Sequence, residues 1–455
     1  MDENEIIKKG IHTYNNGKTY IKPEDPVLQN RLEWFQDQKL ALMIHWGLYC
    51  ELGIVASWAL SDEDATWSRH QIDWTNAATF KKQYFSLIKS FNPVRFQPER
   101  LADFAKESGF RYLILTTKHH DGFCLWDTKY TNFKVTDISC PFHTNVNADI
   151  VRHTFDCFRD RGLGIAAYFS KADWHSSYYW NPKLGAGHPT KRDPSYNPLE
   201  HPKLWNLFQR FTRNQILELC KNYGRIDILW LDAGWVCKAN GQDILIGNII
   251  KEARKYQPWL LVVDRTVGGS FENYVTPEQC VPDIPLGIPW ESCVSIGNDF
   301  AYDYNDTYKS TRQLVSLLVN VVAKGGNLAL NISPQPDGRL PKGAVSSSQG
   351  LGKWLKTYGE AIYGSRICKP YKYGNLYFTK KNNIIYVIRL YPDEHEKCSS
   401  EIYIPLNRRI NSITLLGKQI KLKFNYFHNG LKVNIPNYCI EKANPIAHVF
   451  ALKLE

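Results

Sequence analysis

The stretch RIDILWLDAGW, residues 225–235, sets Ile228, Leu229, Trp230 and Leu231 in an unbroken apolar row and ends that row on Asp232. A strand with one wet face alternates apolar and polar residues; an unbroken row is a strand buried on both faces, as in parallel sheets covered by helices. The same form recurs on either side, in LALMIHWG (40–47), RYLILTT (111–117), GLGIAAYFS (162–170), WLLVVDR (259–265) and NLALNIS (327–333). Between these rows lie amphipathic helix candidates, among them ERLADFAKESG (99–109), LWNLFQRFTRNQILELCKNYG (204–224) and YKSTRQLVSLLVNVVAKGG (308–326). Strand and helix in alternation predict a parallel α/β architecture, closed as a TIM-type (β/α)8-like barrel or open as a doubly wound sheet.

The pattern changes near residues 366–370. From Lys369 onward the segments are short, β-rich and punctuated by turns: NLYFTKK, IIYVIRLY, SEIYIPL, SITLLG, KLKFNY, LKVNIP and AHVFALKLE. That spacing predicts an antiparallel β-sandwich. The expected organisation is a lead-in segment over 1–30, a barrel over 31–367 and a C-terminal β-sandwich over 368–455.

Composition narrows the function. The 56 Lys+Arg against 45 Asp+Glu give a net charge of +11, but the basic residues are dispersed, and the densest groups, Lys380-Lys381 and Lys418 to Lys423, fall within β-type segments. A solvated basic face is expected, with no nucleic-acid partner. The 11 cysteines show neither CxxC pairs nor zinc spacing, so reduced thiols are expected and a structural metal site is not. The opening MDENEIIKKG lacks the apolar core of a signal peptide, and no run approaches the ~20 apolar residues of a membrane span. The expectation is a cytoplasmic protein without a membrane partner. The 14 tryptophans suit a sugar ligand as well as a core.

In a barrel of this type functional side chains emerge at the C-terminal ends of the strands. Those ends carry His45-Trp46, His119-His120-Asp121, Tyr168, Trp230 with Asp232, Asp264-Arg265 and Asn331. Six strands ending in polar or aromatic residues point to a site. His119, His120 and Asp121 invite a metal reading, yet neighbouring residues of a regular strand point to opposite faces, so both imidazoles would not reach one ion. Hydrogen bonding to a polyhydroxylated ligand fits them better. Asp232 is a helix-capping residue or a carboxylate nucleophile beside Trp230. Glycoside hydrolysis needs a second carboxyl group, and FENYVTPEQCVPDIPLGIPWESC (271–293) offers Glu278 and Glu291. At this level either one serves.

The segments HWGLY (45–49), TTKHHDGFCLWDTKYTNF (116–133), DILWLDAGW (227–235), VTPEQ with PWESC, and GGNLALNISPQPDG (325–338) resemble the signature stretches of the retaining α-L-fucosidases of glycoside hydrolase family 29. The resemblance implies a catalytic barrel followed by a β-sandwich, and an exo-acting enzyme, without a cofactor, that removes terminal α-L-fucose from fucosylated oligosaccharides or glycoconjugates. Asp232 matches the family's nucleophile and Glu278 its acid/base, with Glu291 in reserve. His45, His119 and His120 match residues that hydrogen-bond the fucose hydroxyls; Trp46, Trp58, Trp230, Tyr168 and Arg265 complete the implied substrate-binding set. Relatives often carry a glutamate where this chain has Ala56, a loss that Asp62, Glu63 or Asp64 could offset. Two other readings stand beside this one: a non-catalytic fucose-binding protein on the same fold, and a barrel glycosidase for another sugar. The sequence assigns no oligomeric state.

Overall fold

A computed structural model describes residues 18–61, 68, 77–185, 191–391, 393, 399–439 and 446–455. Seven parallel strands, β1 (Leu40–Ile44), β2 (Tyr112–Lys118), β3 (Gly164–Ser170), β4 (Ile228–Asp232), β5 (Leu261–Asp264), β6 (Glu291–Ser295) and β7 (Asn327–Asn331), form one curled sheet in the order β5-β4-β3-β2-β1-β7-β6. From β1 to β5 each strand lies beside the one before it, and β7 returns to the far side of β1. The order has no reversal of the doubly wound kind, so the sheet curls toward closure.

The gap between edge strands β5 and β6 is filled by an irregular stave, residues 273–279. The Asn273 N–H donates to the Val262 carbonyl, and its Oδ1 accepts the Val262 N–H. On the other side Val275, Pro277 and Gln279 exchange main-chain hydrogen bonds with Pro289, Glu291 and Cys293. Prolines at 277, 282, 285 and 289 lack the donors of a regular ladder, which is why this part of the barrel reads as loop in the sequence. The stave matters because it carries Glu278.

Two apolar layers explain the unbroken strands. Ala41, Met43, Ile114, Ala166, Ile228, Trp230, Leu261, Val263 and Ala329 fill the barrel interior. The alternate residues, such as Leu229 and Leu231, join the larger core against the outer helices. Helix Pro26–Gln38 plugs the lower end, placing Leu28, Leu32 and Phe35 in the interior cluster. It starts inside the segment 1–30 expected as a lead-in: Asp25 caps the Val27 N–H at 2.8 Å and Pro26 supplies a preset first turn.

Downstream, β8 (Arg366–Tyr373), β9 (Leu376–Lys381), β10 (Ile384–Leu390), β11 (Glu401–Ile404), β12 (Ile410–Leu415), β13 (Ile420–Phe427), β14 (Gly430–Asn434) and β15 (Ala447–Leu454) pair in the order β11-β14-β13-β12-β15-β10-β9-β8. β13 pairs with β12 through Ile420–Leu422 and with β14 through Lys423–Phe427. The sheet folds over at this strand, and both halves bury one apolar cluster. The opposite face of β10 and β15, with Ile388 and Val449, joins the barrel core. Among the described residues no helix is long and apolar enough to cross a membrane, and the ten described cysteines are free thiols, most of them buried.

Candidate active site

The upper ends of the strands converge on one pocket. At β1, the Asn331 Oδ1 accepts both the His45 main-chain N–H (3.2 Å) and the His45 Nδ1–H (2.8 Å), while the Asn331 Nδ2 donates to the Phe300 carbonyl (2.7 Å). That last bond fixes which way the amide faces. His45 therefore carries its proton on Nδ1, and burial, the largest influence, lowers its pKa. Its Nε2 is left as an acceptor for a ligand hydroxyl.

At β2, the expectation that His119 and His120 point to opposite faces fails. The strand shifts register between Thr116 and Lys118 and ends at Lys118; past a bulge and a strand end the alternation no longer holds. The two rings lie 4.1 Å apart, centroid to centroid. The His119 Nδ1 meets the Ser57 Oγ at 2.6 Å and the His120 Nδ1 meets the Ser170 Oγ at 2.7 Å. Ser170 donates its own proton to the Ala172 carbonyl (2.8 Å), so it accepts from the His120 Nδ1–H. Asp121 closes the turn, accepting from the Tyr84 hydroxyl (2.7 Å) and the Phe123 N–H (3.1 Å).

The chemical centre is Asp232, at the end of β4. Its Oδ1 accepts from the Arg265 Nη1 at 2.9 Å, its Oδ2 accepts from the Tyr168 hydroxyl, and the His120 Nε2 stands 3.7 Å away. The Arg265 Nη2 donates to the Glu278 Oε2 at 2.5 Å, and its Nε donates to the Thr276 Oγ1 at 3.0 Å. Burial works against the guanidinium charge, but Asp232 and Glu278 hold it protonated well above the usual arginine range. Trp230 forms the floor, stacked on Tyr168 at 5.1 Å and lying under the guanidinium at 4.4 Å. Trp58 makes a side wall, 5.0 Å from His120 and 5.7 Å from Trp235.

Eight of the residues named from the sequence as primary site residues, His45, Trp58, His119, His120, Tyr168, Arg265, Asp232 and Glu278, thus meet at the mouth, with Trp230 directly beneath. Two do not. Trp46 follows His45 on the extended chain and points outward, packing on Phe91 (6.0 Å) and Phe96 (5.2 Å) behind the barrel wall. Glu291, the reserve acid/base, opens β6 at the lower end and is fully buried. It accepts from Tyr112, from the Trp230 Nε1 (3.1 Å) and from Tyr274 (3.3 Å). Ala56 is buried with φ of +45° directly before Ser57, and Asp62, Glu63 and Asp64 lie outside the described residues.

The pocket also bears on the metal question. Ligand atoms of His119, His120 and Asp232 lie within 4.8 Å of one another, close enough for a cation, so strand alternation is no ground for setting a metal aside. Asp232, however, is engaged by the cationic Arg265 and the Tyr168 hydroxyl, which compete with a cation for its oxygens. The set suits a neutral polyol better.

Several supporting residues escaped the sequence reading: Ser57, Ser170, Thr276, Trp235 and Trp174, whose ring lies 5.1 Å from that of His120. Serine and threonine beside a strand end carry no distinctive pattern. Trp235 had a signal, since it stands three residues past Asp232 in the decisive stretch.

A family model described as alpha-L-fucosidase matches residues 10–360. The chain is similar to an alpha-L-fucosidase of Dictyostelium discoideum, 25% identical over 461 residues that cover 92% of each chain. It is also similar to the solved structure of alpha-L-fucosidase isoenzyme 1 from Paenibacillus thiaminolyticus (TM-score 0.77, 27% identity, 94% of this chain and 100% of that one). The alpha-fucosidase of Thermotoga maritima in complex with fucose superposes with a TM-score of 0.74 at 27% identity, over 95% of this chain and 100% of the other.

Proposed function

This chain belongs to the α-L-fucosidase family, and on that footing we propose how the pocket at the mouth of its barrel works. The protein is a retaining α-L-fucosidase, a glycoside hydrolase. Its substrates are fucosylated oligosaccharides or glycoconjugates, from which it takes the terminal sugar. Asp232 is the nucleophile and Glu278 the acid/base.

In the first step an Asp232 oxygen attacks C1 of fucose and the C1–O bond to the leaving group breaks. The Glu278 carboxyl proton passes to the departing oxygen. In the second step the Glu278 carboxylate takes a proton from water, the water oxygen attacks C1, and the ester bond to Asp232 breaks. Two inversions at C1 give net retention, and Glu278 returns to its protonated state.

One observation carries these assignments: a single guanidinium, that of Arg265, holds one oxygen of each carboxyl group, Asp232 Oδ1 and Glu278 Oε2, and the proton that the first step spends is carried on the other Glu278 oxygen. Retention requires two carboxyl groups about 5–5.5 Å apart, and sharing one planar fork keeps them close. Donors from Tyr168 and Arg265 to Asp232 also make it a better leaving group in the second step. A fucose binder without turnover would have no use for a second carboxylate on that fork. His45, His119 and His120 serve the sugar hydroxyls and Trp58 serves its apolar face, while Trp230 supports Arg265 and Tyr168 from beneath.

The test uses 4-nitrophenyl α-L-fucoside. Asp232→Gly lowers kcat by about 10⁴-fold or more, and azide restores turnover with a β-configured fucosyl azide as product, one inversion only. Glu278→Ala is also restored by azide, and the product is α-configured. Absence of that second rescue would remove Glu278 from the role.

A further inference from the structure

We propose that Glu291 is a positioning residue for the hydrolytic reaction: through the Trp230 indole it fixes the platform on which Arg265 and Tyr168 hold Asp232. This rests on the assignment of Asp232 as nucleophile.

Glu291 sits where a barrel ordinarily places an aliphatic side chain. It is completely enclosed and has three donors around it, the hydroxyls of Tyr112 and Tyr274 and the Trp230 indole N–H. The Asn327 Nδ2 donates to the Phe35 carbonyl (2.7 Å) and to the Tyr112 hydroxyl (3.3 Å), which leaves the Tyr112 proton directed at Glu291. Three inward donors need an acceptor with several lone pairs; a carboxyl group offers them, and above about 7, where burial has pushed its pKa, it carries no donor of its own. Glutamine matches only one of its two terminal atoms to this set.

The indole that Glu291 anchors is the floor of the pocket. The Arg265 guanidinium lies 4.4 Å from the centre of that ring, and the Tyr168 ring lies 5.1 Å from it, 23° from parallel. Both groups donate to Asp232. Glu291 therefore reaches the nucleophile through one hydrogen bond and one aromatic ring. A rotation of that ring moves both donors at once.

Glu291 is badly placed to act as an acid/base itself. It begins β6, and the catalytic face is at the other end of that strand, four residues or roughly 13 Å higher at about 3.3 Å per residue. Trp230 stands between it and Asp232. A loss of activity on removing Glu291 would imitate the loss of an acid/base, so the two roles have to be separated by more than a rate.

Four variants, Glu291→Gln, Glu291→Ala, Trp230→Phe and the double Glu291→Gln/Trp230→Phe, are assayed on 4-nitrophenyl α-L-fucoside at a temperature where each is folded by circular dichroism. Trp230→Phe keeps a ring and removes the N–H; with Glu291→Gln it keeps the question open to test should Glu291→Ala fail to fold. The expected result is a fall in kcat of tenfold or more for Glu291→Gln and for Trp230→Phe, with KM within threefold. The double variant is no slower than the slower single. Azide does not rescue Glu291→Ala, and the basic limb of its pH profile persists. Multiplying effects in the double variant, azide rescue, or wild-type kcat in the folded single variants would each overturn the proposal. Turnover by the unaltered protein tests the fucosidase reading, and the variant-to-wild-type ratios test Glu291, so the two fail separately.

Discussion

Arg265 donates its Nη2 to Glu278 at 2.5 Å, and the other terminal nitrogen of the same planar group is spent on Asp232. A lysine carries one ammonium point and cannot present two parallel donors to two carboxylates. Arg265→Lys is therefore expected to lose one of the two contacts while keeping the charge. Loss of preorganised hydrogen bonds at a reacting carboxylate costs about 10²–10³ in kcat. Steady-state kinetics on the aryl fucoside check this; a kcat within threefold of wild type would mean that charge alone suffices.

The Asn331 amide fixes the proton on the His45 Nδ1 and leaves Nε2 as an acceptor. Asn331→Asp preserves the shape and places a carboxylate against the ring, which favours the imidazolium and turns Nε2 into a donor. A ligand hydroxyl that donates to His45 then loses its acceptor, at a cost of about 1–3 kcal/mol. The expected outcome is a kcat/KM reduced by about 5- to 150-fold, with the deficit growing as pH falls. A deficit independent of pH would show that protonation of His45 is not the cause.

Legibility in the sequence followed regularity of the backbone. Strands β1 to β5 and β7 are apolar rows with one clear end each, and His45, Asp232 and Arg265 were found by reading those ends. β6 and the 273–279 stave were missed because Glu291-Ser292-Cys293 and a proline-rich run carry no apolar period; what closes the barrel there is main-chain pairing, which no side-chain pattern announces. Trp46 and Glu291 were misplaced for a related reason. Sequence gave their neighbourhood, but inward or outward, upper or lower, depends on register. Glu278 was preferred over Glu291 only by resemblance; the Arg265 fork supplies the physical reason.

Gly122 follows the His119-His120-Asp121 turn with φ of +79°, and a Cβ built on it would lie 2.2 Å from the Asp173 Oδ1. That oxygen is not free to swing away, since Asp173 receives the buried Lys118 Nζ (2.7 Å) and the Ser176 N–H (2.9 Å). Gly122→Ala combines left-handed backbone strain of about 1–2 kcal/mol with overpacking of about 1–3 kcal/mol. It is expected to destabilise the protein by about 2–5 kcal/mol and to displace both imidazoles. Chemical denaturation measures the first effect, and KM for the aryl fucoside the second. A stability within 1 kcal/mol of wild type would show that the Asp173 loop yields.

Stability should also carry the mark of two buried carboxyl groups. Burial pushes Asp121 up to about 7 and Glu291 up to about 7, against hydrogen bonds and nearby cations that pull the other way. Their unfolded values are those of ordinary carboxyls, about 4. Between about pH 4 and 7 the unfolded chain has released these protons while the folded chain still binds them. Rising pH then favours unfolding, by up to about 1.4 kcal/mol per pH unit for each group. Above about 7 both states are ionised and the slope ends. Glu291→Gln and Asp121→Asn cannot ionise, so each removes its share of that slope. Melting temperatures measured from pH 4 to 9 are expected to show each variant gaining on the wild type up to about pH 7 and holding a constant difference beyond it. A difference that stays flat from pH 4 to 7 would mean that the carboxyl group titrates alike in the folded and unfolded chain, and that its hydrogen-bond donors fully offset the cost of its burial.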